Sequence, residues 1–239
     1  MKKFKTLWVF GSSTSQPNYY VPFSESFWWL TAKYLGADIV KNFSWSASSF
    51  DSVCHNLVSH QEEYDWENDF FLIGVPPLER WTVFDQKEPA RKYHVFDTNT
   101  RELSMVTSPH FENLSDISFT EDKMTVIYSN RSWIETQALR TIFFLHTWLD
   151  SVGANYLIVS LTGTFAKHEH LNWSPHRAVF NFCSTHNRNI IFEDTYTSIN
   201  FNIHRPVDFN QWGWSGHHGP EGNRYYFEQS ILPKLKEQL

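Results

Sequence analysis

The first third of the chain alternates short apolar runs with segments of helical spacing. Three continuous apolar runs have the length of strands buried on both faces, namely 6–10, 37–43 and 69–75. Apolar positions three and four apart predict helices between them, the first capped by 24–26 and stopped by Gly36, the second over 48–63. This order is typical of a parallel sheet covered by helices on both faces.

The same rhythm returns in the second half of the chain. Helical spacing occurs at 134–149, 174–186 and 220–239, and strand-like apolar runs occur at 155–161 and 189–193. Residues 80–130 are polar and irregular, and about 50 residues is too long for a plain connection, so we expect an insertion with short strands or turns. The pattern predicts one domain over 1–239, with five parallel strands.

Composition narrows the classes of function. The chain has 239 residues, of which 41% are hydrophobic, so it can bury a sizeable core. A net charge of −6 with 19% charged residues disfavours a nucleic-acid binder. We expect no membrane partner and a cytoplasmic location, because no apolar run spans a bilayer and the run after the basic start is too short for a signal peptide. Cys54 and Cys183 are expected to be small buried residues rather than a disulfide framework.

Polar clusters follow the predicted strands, where open parallel sheets bind their ligands. Ser13 lies in the turn after the first strand, and it is either a nucleophile or one of four polar residues in a loop, 12–15. A serine hydroxyl needs an adjacent base to attack. His218 is the candidate base, because it stands in a glycine-flanked turn before a helix, although a surface histidine would fit there too.

Other polar and aromatic residues near these loops have two explanations each. Arg80 follows the third strand, where its guanidinium could hold a carboxylate or phosphate, or form an ion pair with Glu79. The histidines of 168–170 and 217–218 suggest a metal by composition alone, since zinc-binding spacings are missing, and no metal or other cofactor is expected. Tryptophans beside the loops would bind sugars or fill the core: 28–29, 45, 81, 212 and 214.

In order and position, these blocks resemble the SGNH/GDSL hydrolase superfamily. The residues 9–13 (VFGSS) look like its first block, 42–47 (NFSWSA) like its second, 71–76 (FLIGVP) occupy the place of its third, and 215–220 (SGHHGP) look like its last. The resemblance implies a flavodoxin-like three-layer α/β/α sandwich with a five-stranded parallel sheet. It also implies acyl transfer from an ester to water.

By this resemblance Ser13 attacks the ester carbonyl and His218 accepts its proton. The backbone N–H groups of Ser13 and of the Ser46–Ala47 turn would bind the oxyanion, and Gly74 lies in the third block beside the substrate. The chain also departs from the family. Ser12 replaces the acid of the first block, the third block has no Asn, and Ser215 replaces the Asp before the catalytic His. Ser215 would at most orient His218, and Arg80 could replace the missing donor.

Three interpretations follow. The chain is a serine esterase or deacetylase acting on a small-molecule or carbohydrate ester, or a catalytically degenerate binding module, or an assembly component with an aromatic surface. The aromatic-rich blocks also resemble proteins of large tailed phages, for which association with the virion is a second location. The sequence leaves the acyl group, the alcohol and the oligomeric state open.

Overall fold

The structure is a computed structural model, and it describes these residues: 2–12, 14–17, 21–45, 48–76, 80–84, 92–97, 103–107, 114–118, 131–161, 189–191 and 218–239. The predicted helix at 174–186 lies outside them. The strands are β1 (Thr6–Phe10), β2 (Ile39–Asn42), β3 (Asp69–Val75), β4 (Arg80–Phe84), β5 (Lys92–Asp97), β6 (Leu103–Thr107), β7 (Leu114–Ser118), β8 (Asn155–Ser160) and β9 (Ile190–Ile191).

Five strands form the parallel part of the main sheet, in the order β2-β1-β3-β8-β9. β1 lies between β2 and β3, and Thr6 is opposite both Ile39 and Asp69. In chain order of the parallel strands this is 2-1-3-4-5, the order of flavodoxin-like folds. The predicted parallel sheet is therefore confirmed, and its strands begin close to the predicted positions.

The insertion contains short strands, as expected. β5 pairs antiparallel with β2, where Asn42 is opposite His94, and β6 pairs with β5, so the main sheet has seven strands among the described residues. β4 and β7 form a separate antiparallel pair. β5 and β6 lie on the outer side of β2, within the main sheet. They extend the sheet sideways because the backbone groups on the outer side of β2 can pair with another strand.

The described helices are α1 (Phe27–Leu35), α2 (Phe50–Ser59), α3 (Arg131–Ser151), α4 (Pro220–Tyr226) and α5 (Leu232–Gln238), with a π turn at Phe227–Ile231 between the last two. Ser26 caps α1 by accepting a hydrogen bond from the Trp29 N–H, and Gly36 ends it at φ 63°. Ser49 caps α2 through the Ser52 N–H. None of the described helices combines the length and apolar character that a bilayer-crossing segment requires.

Two hydrophobic cores lie on opposite faces of the sheet. Side chains alternate along β1, so Trp8 and Phe10 enter the core beneath α2 and α3, while Leu7 and Val9 enter the core beneath α1, α4 and α5. The first core contains Leu57 of α2 and Ile142 of α3, and the second contains Trp28 of α1 and Tyr226 of α4. Both faces are covered, which makes the domain a three-layer α/β/α sandwich.

A polar network connects α3 to the amino end of β8. The fully buried Tyr156 donates its hydroxyl to Asp150 Oδ1 at 2.7 Å and also hydrogen-bonds His146 Nδ1. His146 Nε2 lies 3.5 Å from Asp150 Oδ2. Burial lowers the pKa of the His146 imidazole, and the Asp150 carboxylate opposes that shift only in part. The folded protein therefore favours neutral His146.

We predict that acid destabilises the protein through His146. Its pKa is lower in the folded chain than the ordinary value of about 6.5, so the unfolded chain binds the proton more readily. The contribution of neutral His146 to the free energy of unfolding is fully present above the ordinary pKa. It decreases as the pH falls through that value toward the lowered pKa of the folded chain. Urea unfolding at pH 5 to 8 measures this: His146→Gln should lose less stability on acidification than the wild type. Equal losses of stability in the variant and the wild type would contradict the prediction. The difference in their free energies of unfolding at pH 8, where His146 is neutral in both states, gives the packing effect of the substitution.

Candidate active site at the carboxyl edge of the sheet

The turn after β1 is compact and closes on itself. Ser15 donates its backbone N–H to the Ser12 carbonyl at 2.9 Å, and the hydroxyls of Ser12 and Thr14 are 3.5 Å apart. Gly11 is needed at the base of the turn, since a Cβ there would lie 2.8 Å from Ser15 Oγ. Ser13 itself lies outside the described residues, so the structure gives its two neighbours and not its hydroxyl.

Asn42 joins this turn to the loop after β2. It is the last residue of β2, and its side chain is 0% exposed. Its Nδ2 donates to the Ser15 carbonyl at 2.9 Å, and its Oδ1 accepts from the Ser44 N–H at 2.8 Å. Both ends of one buried amide are therefore used to hold two loops at a fixed separation. Ser46 and Ala47, the predicted oxyanion donors of the second loop, lie outside the described residues.

Buried serines lie in the two loops that Asn42 joins. Ser12, Ser15, Ser44 and Ser48 are all buried at this edge. Within the part of the chain that the structure describes, the hydroxyls of Ser44 and Ser48 have no hydrogen-bond partner. Buried hydroxyls without partners are unfavourable and uncommon in folded proteins. The carboxyl edge thus has a polar interior, unlike the two apolar cores on the faces of the sheet.

His218 stands immediately before Gly219, the residue that caps α4, and it is 1% exposed. Its side chain lies against the first turn of α4. A Cβ at Gly222 would be 2.5 Å from His218 Cβ and 2.8 Å from His218 Nδ1, so no larger residue fits there without a shift. Gly222 therefore permits the close approach of the imidazole to the helix.

The His218 turn is attached to the start of α1. Asn223 donates its Nδ2 to the His218 carbonyl at 3.1 Å, and its Oδ1 accepts from the Phe27 N–H at 3.2 Å. Farther along α4, the Tyr226 hydroxyl donates to the carbonyl of Ser160, the last residue of β8, at 3.3 Å. Since α1 begins and β8 ends at the carboxyl edge of the sheet, His218 lies at the same edge as the turn after β1.

The remaining predicted site residues are less informative. Gly74 lies inside β3 opposite Val159, and a Cβ there would lie 2.4 Å from Leu161 Cδ1, so packing accounts for this glycine. Arg80 follows the third strand, as expected, and it begins β4, where its backbone is opposite Ser118. Ser215 lies outside the described residues.

Of the tryptophans beside the loops, Trp28 and Trp29 fill the core under α1, and Trp45 is half-buried. The side chains of Trp81, Trp212 and Trp214 lie outside the described residues. Because Trp28 and Trp29 are buried, a sugar cannot stack on their rings.

Cys54 is the one cysteine that the structure describes. Burial raises the pKa of the Cys54 thiol to about 12, and the nearby Asp51 charge adds to the shift, so Cys54 is a protonated, weak nucleophile at neutral pH. Among the residues described, no three His, Cys, Asp or Glu side chains are grouped as a metal ion requires. Cys183 and the histidines at 168, 170 and 217 lie outside this part of the chain.

Sequence reasoning missed the roles of Asn42, Gly222 and Asn223. The sequence signal for Asn42 is a polar residue at the end of a predicted strand, where a buried amide can bind two loops. Gly222 and Asn223 were visible as two poor helix formers in the first turn of a predicted helix, directly after the histidine turn. Poor helix formers at such a position indicate a close contact or a side-chain hydrogen bond.

No protein-family model matches the sequence, and no curated protein matches it. One similar solved structure aligns over 98% of this chain and 97% of its own, with 14% identity and a TM-score of 0.43.

We predict that Gly222→Ala destabilises the protein, although replacing glycine by alanine in a helix ordinarily stabilises it by about 1 kcal/mol. The new Cβ would lie 2.5 Å from His218 Cβ, so the histidine or the helix must move. We expect a loss of about 1–3 kcal/mol in urea unfolding. The double variant Gly222→Ala/His218→Gly removes the clash and should be at least as stable as His218→Gly. A Gly222→Ala protein as stable as the wild type would contradict this account of His218.

Proposed function

We propose that the protein is a serine hydrolase that cleaves esters by acyl transfer to water, as an esterase or deacetylase. Ser13 is the proposed nucleophile and His218 the proposed base. The substrate class is a small-molecule or carbohydrate ester, and the chemistry needs no cofactor. Attack by the serine oxygen forms an acyl-enzyme and releases the alcohol. Water activated by the same imidazole then releases the acid.

One observation carries this proposal: both proposed catalytic segments belong to the carboxyl edge of a flavodoxin-like sheet. Ser12 and Thr14, the neighbours of Ser13, lie in the turn after β1, and Asn223 connects the His218 turn to the first residue of α1. In open α/β sheets this edge is where ligands bind. A serine nucleophile needs an adjacent base, and a position at the same edge of the sheet is the first condition for that.

Asn42 supports the proposal from the side of transition-state binding. The proposed oxyanion donors are the backbone N–H groups of Ser13 and of the Ser46–Ala47 turn, one in each of the two loops that Asn42 joins. Donors stabilise an oxyanion best when their positions are fixed before the reaction. Arg80, at the start of β4, stays the proposed charged donor, whereas packing against Leu161 accounts for Gly74.

A catalytically degenerate binding or assembly protein of the same fold is the alternative. The observation that favours it is the serine at 215, where the hydrolase family it resembles has an acid. A serine hydroxyl cannot stabilise an imidazolium as a carboxylate does. Under this alternative His218 and Ser13 are parts of a binding surface, and no ester is hydrolysed.

We predict that purified protein hydrolyses short-chain aryl esters or acetylated sugars, and that the rate rises with pH as a single imidazole loses its proton. Ser13→Ala should abolish turnover. His218→Ala should lose about as much, because a nucleophile and its base act as a unit. Ser215→Ala should lose much less, and Ser215→Asp should raise the rate by placing a carboxylate behind the imidazole.

His217→Ala is the matched control, since it removes the neighbouring imidazole and should leave most of the activity. Thermal unfolding of each variant separates loss of function from loss of fold. Turnover unchanged by Ser13→Ala would refute the assignment. Folded wild-type protein that hydrolyses no ester would favour the degenerate alternative.

A further inference from the structure

We infer that Asn223 is a positioning residue for His218: its side chain fixes the backbone from which the imidazole projects. The kinetic consequence rests on the proposed function, whereas the geometric claim does not. Asn223 lies in the first turn of α4 and is buried. It does not touch the reacting atoms, so its effect must pass through His218.

Three side-chain hydrogen bonds define this role. Nδ2 of Asn223 donates to the His218 carbonyl and to the Gly219 carbonyl, each at 3.1 Å. Oδ1 accepts from the Phe27 N–H at 3.2 Å. The Phe27 N–H stands at the first position of α1, where it has no acceptor within its own helix. One amide therefore connects the histidine turn to the helix that follows the Ser13 turn.

An amide is the group that this position requires. Two carbonyl oxygens face one end of the side chain, and one N–H faces the other, so the residue must donate at one end and accept at the other. Asparagine is an ordinary to poor helix former, and propensity does not account for it here. Aspartate has the same shape but presents an oxygen to the carbonyls of His218 and Gly219, which repels them.

Backbone and ring are held by different neighbours. Asn223 binds the carbonyl of His218, while Gly222 leaves room for the ring. A Cβ added at Gly222 would lie 2.7 Å from His218 Cγ. The direction of a side chain depends on its backbone dihedral angles as well as on its rotamer. Releasing the carbonyl would thus let the imidazole move even with Gly222 unchanged. A displacement of about 1 Å at a catalytic group is enough to lower a rate roughly a hundredfold.

The test compares Asn223→Asp and Asn223→Ala with Tyr226→Phe. Tyr226→Phe is the matched control, because it removes one hydrogen bond of the same helix, to the Ser160 carbonyl, and leaves the His218 turn intact. The first measurement is carbethoxylation of His218 by diethyl pyrocarbonate, followed by peptide fragmentation, which distinguishes His218 from His217. His218 is buried in the wild type, so it should react slowly.

We expect His218 to react about tenfold to a hundredfold faster in both Asn223 variants, since two hydrogen bonds that hold its turn are lost. Tyr226→Phe should keep the wild-type rate. Equal rates in Asn223→Asp and Tyr226→Phe would overturn the inference. This arm needs no substrate, so it decides the role of Asn223 even if the protein hydrolyses no ester.

The second measurement uses the ester assay. Asn223→Asp should lower kcat by about a hundredfold with little change in KM, because the substrate still binds while the base is displaced. Tyr226→Phe should keep kcat. A rise in KM alone, or an equal loss in both variants, would show a general structural role and overturn the inference.

If neither Asn223 variant folds, hydrogen exchange in the wild type decides the claim. The amide of a first helical residue ordinarily exchanges fast. Slow exchange at Phe27 together with slow exchange of the Asn223 side-chain amide supports the three hydrogen bonds. Fast exchange at either group contradicts them.

Discussion

The position of β1 in the middle of the parallel sheet is the constraint on which the rest of the structure depends. β1 pairs with β2 on one side and β3 on the other, and its alternating side chains enter both cores. The backbone of β1 therefore pairs on both sides from Thr6 to Val9, and its side chains are buried. The run of apolar residues stops where β1 ends, and the turn that carries Ser13 begins there. A buried central strand thus determines where chemistry is possible.

At that edge the fold must bury loops whose backbone groups have no strand partner. Two asparagines solve this problem in the same way: Asn42 binds the carbonyl of Ser15 and the N–H of Ser44, and Asn223 binds the carbonyl of His218 and the N–H of Phe27. Each replaces hydrogen bonds that water would otherwise supply. Because such bonds are directional, they also restrict how the loops can move. The same side-chain hydrogen bonds of Asn42 and Asn223 therefore stabilise the loops and fix the geometry of the candidate site.

The sequence predicts the fold more fully than the site, for a physical reason. Apolar periodicity arises from burial, and burial in two cores accounts for β1, β3 and β8. The start of α1 was predictable for another reason, since serine is a preferred N-cap residue and Ser26 caps that helix. The path of the insertion depended on hydrogen bonds along β2, which leave no trace in hydrophobic spacing, and its place beside β2 was missed. The roles of Asn42 and Asn223 depended on contacts between residues 27 and 196 positions apart, respectively. No local pattern reports such contacts, although a polar strand end and a poor helix former mark where to look.

The described strands of the insertion bear on the stability of the sheet. Without β5, strand β2 would be the edge of the parallel sheet, with a row of unpaired backbone groups beside the loop that Asn42 organises. β5 pairs with all of β2, from Ile39 to Asn42, and β4 contacts α2, which follows that same loop. Both ends of the loop at 43–49 are thereby attached to elements that the insertion supports. β4 and β5 thus support the two elements that flank the second proposed oxyanion loop.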